Sequence, residues 1–182
     1  MGFGTRSLVG LGAFSLQLLY SFLLGEQFMP NELPKNIRLL LAKNADRASI
    51  ARSVAEAIRN HGQYRWTGIY DVDIERGLVS NVAWSGPNAP EYPTFPVTKG
   101  LTSRAVTEKR TVNVGDVAID KDYLTALTTT RSEIIVPVVD EQGSHVFGTI
   151  DVESELPNAF DASAQRMLEE CAIVLRHFWT TS

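Results

Sequence analysis

The chain has 182 residues, 44% of them hydrophobic and 21% charged, with a net charge of −4. At about 100–200 residues per domain this is one domain with a short extension, able to bury a full core, and its acidic balance excludes a strongly basic nucleic-acid binder. One cysteine, Cys171, excludes an intramolecular disulfide and any multi-cysteine metal site, and His61, His145 and His177 lack ligand spacing, so no metal is expected.

Residues 1–28 differ from the rest. From Leu8 to Gly25 no residue is charged, with Arg6 before the run and Glu26 after it. At about 18 residues the run is at the lower edge of what spans a bilayer as a helix. One reading is a signal anchor with Arg6 on the cytoplasmic side. The other is a start codon placed too early, with Met29-Pro30-Asn31-Glu32-Leu33 as the true beginning. The domain proper is then 29–182, expected in the cytoplasm, or at a membrane if 8–25 is an anchor.

Leu33 to Asn44 is expected to be a short helix with Ile37, Leu40 and Leu41 on one side. Asp46 caps a second helix through about Asn60, ended by Gly62. Tyr64–Val72 and Leu78–Trp84 read as a strand pair around the turn Asp73–Gly77. Ser85–Pro93, with three prolines and a glycine, is loop, and Phe95-Pro96-Val97 is extended. Gly100 opens a helix to about Lys109, and Thr111–Val114 is a short strand. Asp116–Thr130 is irregular, with one helical turn expected near Tyr123. Glu133–Val139 and Val146–Glu153 form a second strand pair, and Asp161 caps a final helix. Its inner stripe is Ala164, Met167, Leu168, Cys171, Val174, Leu175 and Phe178. Consecutive hairpins imply an α+β fold, an antiparallel sheet with N- and C-terminal helices on one face. The opposite face, roofed by the two irregular connections, is where a pocket forms.

Side chains alternate along a strand. Trp66, Gly68 and Tyr70 therefore share one face, as do Asp151 and Glu153, and Glu133 begins the strand paired with the latter. These residues can line one concavity suited to an amino group, since carboxylates bind ammonium and aromatic faces attract cations. The competing reading is a solvated acidic face and core aromatics. Cys171, on the inner stripe of the last helix, reads as a buried small hydrophobe. Ser132 has no histidine nearby in sequence. Gly100-Leu101-Thr102-Ser103 at a helix start offers backbone N–H groups to an anion, or is plain capping. No Walker A or GxGxxG segment occurs, and no cofactor is expected.

Several segments together resemble GAF domains, in particular the free methionine-(R)-sulfoxide reductase branch. Tyr64-Arg65-Trp66-Thr67-Gly68-Ile69-Tyr70 resembles the first strand of that family. Pro96-Val97-Thr98-Lys99-Gly100-Leu101-Thr102-Ser103 resembles its strand–Gly–helix segment, and Val112-Asn113-Val114-Gly115-Asp116-Val117 its next strand. Arg131-Ser132-Glu133-Ile134-Ile135-Val136-Pro137-Val138 is close to its "SEIVVP" strand. Gly148-Thr149-Ile150-Asp151-Val152-Glu153-Ser154 is similar to its "GVLDIDS" strand, and Phe160-Asp161 matches the start of its closing helix. The family's reductases use cysteine thiols. The resemblance places Tyr92 or a neighbour, Thr102 and Ala126 at those positions, and Leu127 where the family has an aspartate. With no thiol there, sulfenic acid formation and disulfide exchange have no reactants. Trp66 and Tyr70 match the aromatic wall, and Glu133, Asp151 and Glu153 match the carboxylates, with Glu153 where aspartate is usual.

The resemblance thus implies a non-catalytic GAF domain that binds a small amino-group-bearing molecule through Trp66, Tyr70, Tyr92, Thr102, Glu133, Asp151 and Glu153, and dimerises through its terminal helices. The alternatives are a divergent reductase-like enzyme and a ligand-free dimerisation module. Cyclic nucleotides and bilins are other GAF ligands, and bilin attachment needs a pocket cysteine that this chain lacks.

Overall fold

A computed structural model describes residues 32–124 and 128–180. The run at 8–25, the alternative start at Met29, and the positions Ala126 and Leu127 lie outside the described residues.

Two helices come first, α1 (Glu32–Leu41) and α2 (Arg47–Gly62). Asp46 caps α2, its carboxylate accepting from the Ser49 backbone N–H and satisfying one of the donors a helix start leaves open. The left-handed residue that ends α2 is Gln63, with φ 54°, and not Gly62. Gly62 serves packing instead: a Cβ there would sit 2.1 Å from the Tyr64 ring. That ring in turn packs on Phe160 at a centroid distance of 5.2 Å.

The sheet has six antiparallel strands in the order β3-β2-β1-β6-β5-β4. They are β1 (Trp66–Asp73), β2 (Leu78–Ser85), β3 (Thr94–Pro96), β4 (Val112–Val114), β5 (Ser132–Val139) and β6 (Val146–Ser154). The first and last long strands of the chain, β1 and β6, pair at the centre. Helix α3 (Gly100–Glu108) joins β3 to β4. The helical turn expected near Tyr123 forms earlier, as a 3-10 turn at Val117–Ile119. The reason is local: the Asp116 side chain accepts from the Ala118 N–H and caps the turn there.

Asp161 caps α4 (Ala162–Leu175) through the N–H groups of Ser163 and Ala164. The last stripe residue, Phe178, lies beyond α4 on a separate turn, α5 (His177–Thr180). There Asp71 of β1 receives Arg47 at 2.6 and 2.9 Å and the Trp179 indole N–H at 2.7 Å, fixing the end of the chain to the sheet.

Helices α1, α2 and α4 cover one face of the sheet. Ile69, Ala83, Ile134, Val136, Val138, Ile150 and Val152 meet Ile37, Val54, Ile58, Leu168, Cys171 and Leu175 in one core. The other face carries two smaller clusters, one around Trp66, Tyr70, Val72, Val79 and Val146 and one of Leu101, Ala105, Val112 and Ile135. Strands β5 and β6 are buried on both faces, so residues 134–139 run apolar without alternation, while Asp151 and Glu153 of β6 are buried polar residues. No helix among the described residues is long and apolar enough to cross a membrane.

Candidate ligand-binding site

The sheet register builds the site in rows. Trp66, Glu153 and Glu133 lie opposite one another across β1, β6 and β5, and Gly68, Asp151 and Ile135 form the next row. All project from the face away from the helix core. Gly68 is what lets the aromatics meet: a Cβ there would lie 2.3 Å from the Trp66 ring and 2.7 Å from the Tyr70 ring. The two rings sit with centroids 6.3 Å apart at 45°, and Phe95 meets Tyr70 edge-on at 5.9 Å. The Trp66 indole N–H donates to the Asn88 carbonyl at 3.1 Å and ties the Pro-rich loop to the wall.

Glu133, Asp151 and Glu153 are 7%, 8% and 1% exposed, which removes the solvated-face reading. One oxygen from each lies within 4.8 Å of the others. Burial, then the charges of Asp151 and Glu153, raise the Glu133 carboxyl well above the ordinary range. Burial, then Glu153, does the same to Asp151. Burial pushes Glu153 up to about 7, against the downward pull of the Thr130 hydroxyl, which donates to it, and of Arg65. Three like charges so close and so dry do not all ionise near neutrality, so the cluster holds protons. The Tyr70 phenol is raised well above 10 by burial and by the same three carboxylates. Glu133 Oε2 and Asp151 Oδ1 are buried without a hydrogen-bond partner. The two carboxyls bond to each other, and the oxygens left over are costly in an interior, which makes them candidates for a ligand or ion.

Tyr70, Pro90, Tyr92, Phe95, Gly100, Leu101, Thr102, Leu124, Glu133 and Asp151 enclose a cavity of about 30 Å³. Five of the seven residues expected from the sequence therefore line it. Trp66 and Glu153 do not line it; Trp66 contacts Tyr70, and Glu153 has an oxygen within 4.8 Å of the other two carboxylates. The sequence reading missed Phe95, Leu124 and the donor Thr130, because nothing local in those segments announces which loop folds over which strand. Cys and His spacing says nothing of this carboxylate group, whose three oxygens are close enough to hold an ion. Cys171 is buried on the helix side of the sheet, with burial and then Glu170 pushing its thiol up to about 12. A thiol in that state is a poor nucleophile.

Residues 46–176 match the sequence pattern of the GAF domain. The chain belongs to the GAF domain family. GAF domain-containing protein A of Dictyostelium discoideum is 29% identical over 145 residues, covering 80% of this chain and 88% of that protein. The free methionine-R-sulfoxide reductase of Neisseria meningitidis, solved with its substrate, is 26% identical with a TM-score of 0.76, over 85% of this chain and 90% of that one. The type II enzyme of Thermoplasma acidophilum is 27% identical with a TM-score of 0.67, over 75% of this chain and 96% of that one. A GAF sensor protein of Burkholderia vietnamiensis, at 22% identity and a TM-score of 0.73 over 84% and 94%, shares the fold. The GAF fold here is thus a mixed helix and antiparallel-sheet domain with reductase-like neighbours, and this chain has a single cysteine set deep in its helix core.

Proposed function

We propose that this GAF domain binds a small amino-group-bearing molecule at the carboxylate–aromatic site and does no thiol chemistry there. The observation that carries the reading is the pair of buried, unpartnered oxygens of Glu133 and Asp151 on the cavity wall. An ammonium group satisfies them, with Tyr70, Tyr92 and Phe95 around the rest of the ligand. The start of α3 at Gly100, Leu101 and Thr102 borders the same cavity, where its open N–H groups suit the carboxylate end of an amino acid. Ligand pockets run to about 300–1,000 Å³, so a whole amino acid enters only as the loop carrying Pro90 and Tyr92 gives way.

Calorimetry with free amino acids and their sulfoxides tests this. Saturable binding is expected, lost when Asp151→Ala and Glu153→Ala are combined. If none of the panel binds and the double substitution alters only stability, the reading fails. Turnover of free methionine sulfoxide with a thiol reductant, surviving Cys171→Ser, would instead favour a divergent reductase.

The output of such a domain passes through its terminal helices to a second copy or a partner. Leu39 of α1 is 63% exposed and Ile173 of α4 is 56% exposed, and the two helices pack on each other. Apolar side chains at these positions suit a homodimer contact. Sedimentation is expected to show a dimer that Leu39→Glu with Ile173→Glu converts to a monomer; a wild-type monomer contradicts it.

A further inference from the structure

We infer that the Glu133–Asp151–Glu153 cluster also takes a hard divalent cation of the Ca²⁺ or Mn²⁺ type, bound directly to the three carboxylates. The inference rests on the reading that this cluster receives positive charge and extends it to a second class of ligand. Four observations carry it.

The first is spacing. Oxygens on one coordination sphere with bonds of about 2.3–2.6 Å lie at most about 5 Å apart, and one oxygen from each carboxylate falls within 4.8 Å of the others. The second is vacancy of partners. Glu133 Oε2 and Asp151 Oδ1 have no hydrogen-bond partner although their residues are more than nine-tenths buried, and both residues border the cavity. The third is size. The cavity, about 30 Å³, exceeds the roughly 10–15 Å³ that a single water needs, so an ion or a single water fits without displacing a loop. The fourth is the lack of internal compensation. Thr130 donates to Glu153 and Glu133 bonds to Asp151, but no cation sits on the cluster: none of the three carboxylates forms an ion pair among the described residues, and Arg65, whose charge lowers Glu153, pairs with Glu155 at 3.1 Å.

The donor set is all oxygen. Carboxylate oxygens suit Ca²⁺, Mn²⁺ or Mg²⁺, and the absence of imidazole and thiolate disfavours zinc. Mg²⁺ demands bonds of about 2.0–2.1 Å in a near-octahedral shell, tighter than oxygens spread within 4.8 Å of one another need, so the larger ions are favoured.

Terbium, a Ca²⁺ stand-in that emits when nearby aromatic rings are excited, tests the site in the full chain. Tyr70 and Trp66 are the expected donors. Saturable sensitised emission is expected, displaced by Ca²⁺ and Mn²⁺ more readily than by Mg²⁺, and lost in Glu133→Gln and in Asp151→Asn. Circular dichroism confirms that the variants fold. Ca²⁺ is also expected to raise the melting temperature of the wild type and not of Asp151→Asn. No saturable emission, or emission unchanged in both folded variants, overturns the inference. Amines titrated in parallel separate the two claims. Amine binding without terbium binding overturns the cation site and leaves the amine reading standing; terbium binding displaced by amine supports a shared seat.

Discussion

Stability of this chain is expected to contain a component that falls as pH rises from 4.5 to about 7, and Glu153→Gln is expected to remove it. The Glu153 carboxyl titrates at about 7 in the fold against 4.5 for a free glutamate, with burial as the main cause. Below 4.5 the group is protonated in both states, and its stabilising contribution is fully present. As pH rises, the unfolded chain ionises freely while the fold holds the proton, and the contribution is lost by the time pH passes the folded value. The loss is on the order of 3 kcal/mol. Glu133 and Asp151 are raised in the same direction, so they extend the fall toward higher pH. The helix cap Asp46 and the turn residue Asp140, whose carboxyls are lowered by their bonds to Ser49 and Ser144, act in the opposite direction. The informative quantity is therefore the difference between wild type and variant. Urea midpoints across this pH range are expected to converge at acid pH and to favour the variant near neutrality. A constant difference at every pH would sink the claim that Glu153 is buried against its charge. The same logic makes the wild-type carboxylates a cost in the empty fold, one that a bound cation offsets.

Gly68→Val is expected to be more damaging than any single substitution on the carboxylate side. A Cβ at this position meets Trp66 at 2.3 and 2.6 Å and Tyr70 at 2.7 Å. Both rings are nearly fully buried. Trp66 is further held by its bond to Asn88 and Tyr70 by its contact with Phe95. Neither ring moves aside without opening the wall, so the cost follows overpacking, about 1–3 kcal/mol, with the larger end expected for the branched side chain. The near-ultraviolet dichroism of the tryptophans is expected to change with it, and ligand binding to vanish. Gly68→Ala is expected to be milder in the same sense. Wild-type stability and an unchanged tryptophan signal in Gly68→Val would show that the rings do not close over this glycine.

How much of this was legible in the sequence follows from which signals are local. Period-two alternation put Trp66, Gly68 and Tyr70 on one face, and Asp151 and Glu153 on another, before any pairing was known. That these faces coincide depends on β1 and β6 pairing across some eighty intervening residues, which no local pattern states; the family resemblance supplied it. Helix starts were legible because Asp46 and Asp161 carry the capping oxygen themselves. Helix ends were less so: α2 stops at Gln63, where a left-handed non-glycine residue is tolerated, and α4 breaks at Arg176 before Phe178. In the site, Thr130, Phe95 and Leu124 arrive from connections whose course is set by tertiary packing. Asp71 joins Arg47 and Trp179 over separations of 24 and 108 residues, again beyond local reading.

The central claim, that a positive group enters the site and replaces protons held among Glu133, Asp151 and Glu153, is tested most directly by titrating a free amino acid sulfoxide in two buffers of different ionisation enthalpy near pH 7. The account predicts saturable binding in the wild type with a buffer-dependent heat that reports proton release, and no such heat in Asp151→Asn. Binding that releases no proton, or that is equally strong in a folded Asp151→Asn variant, would contradict it.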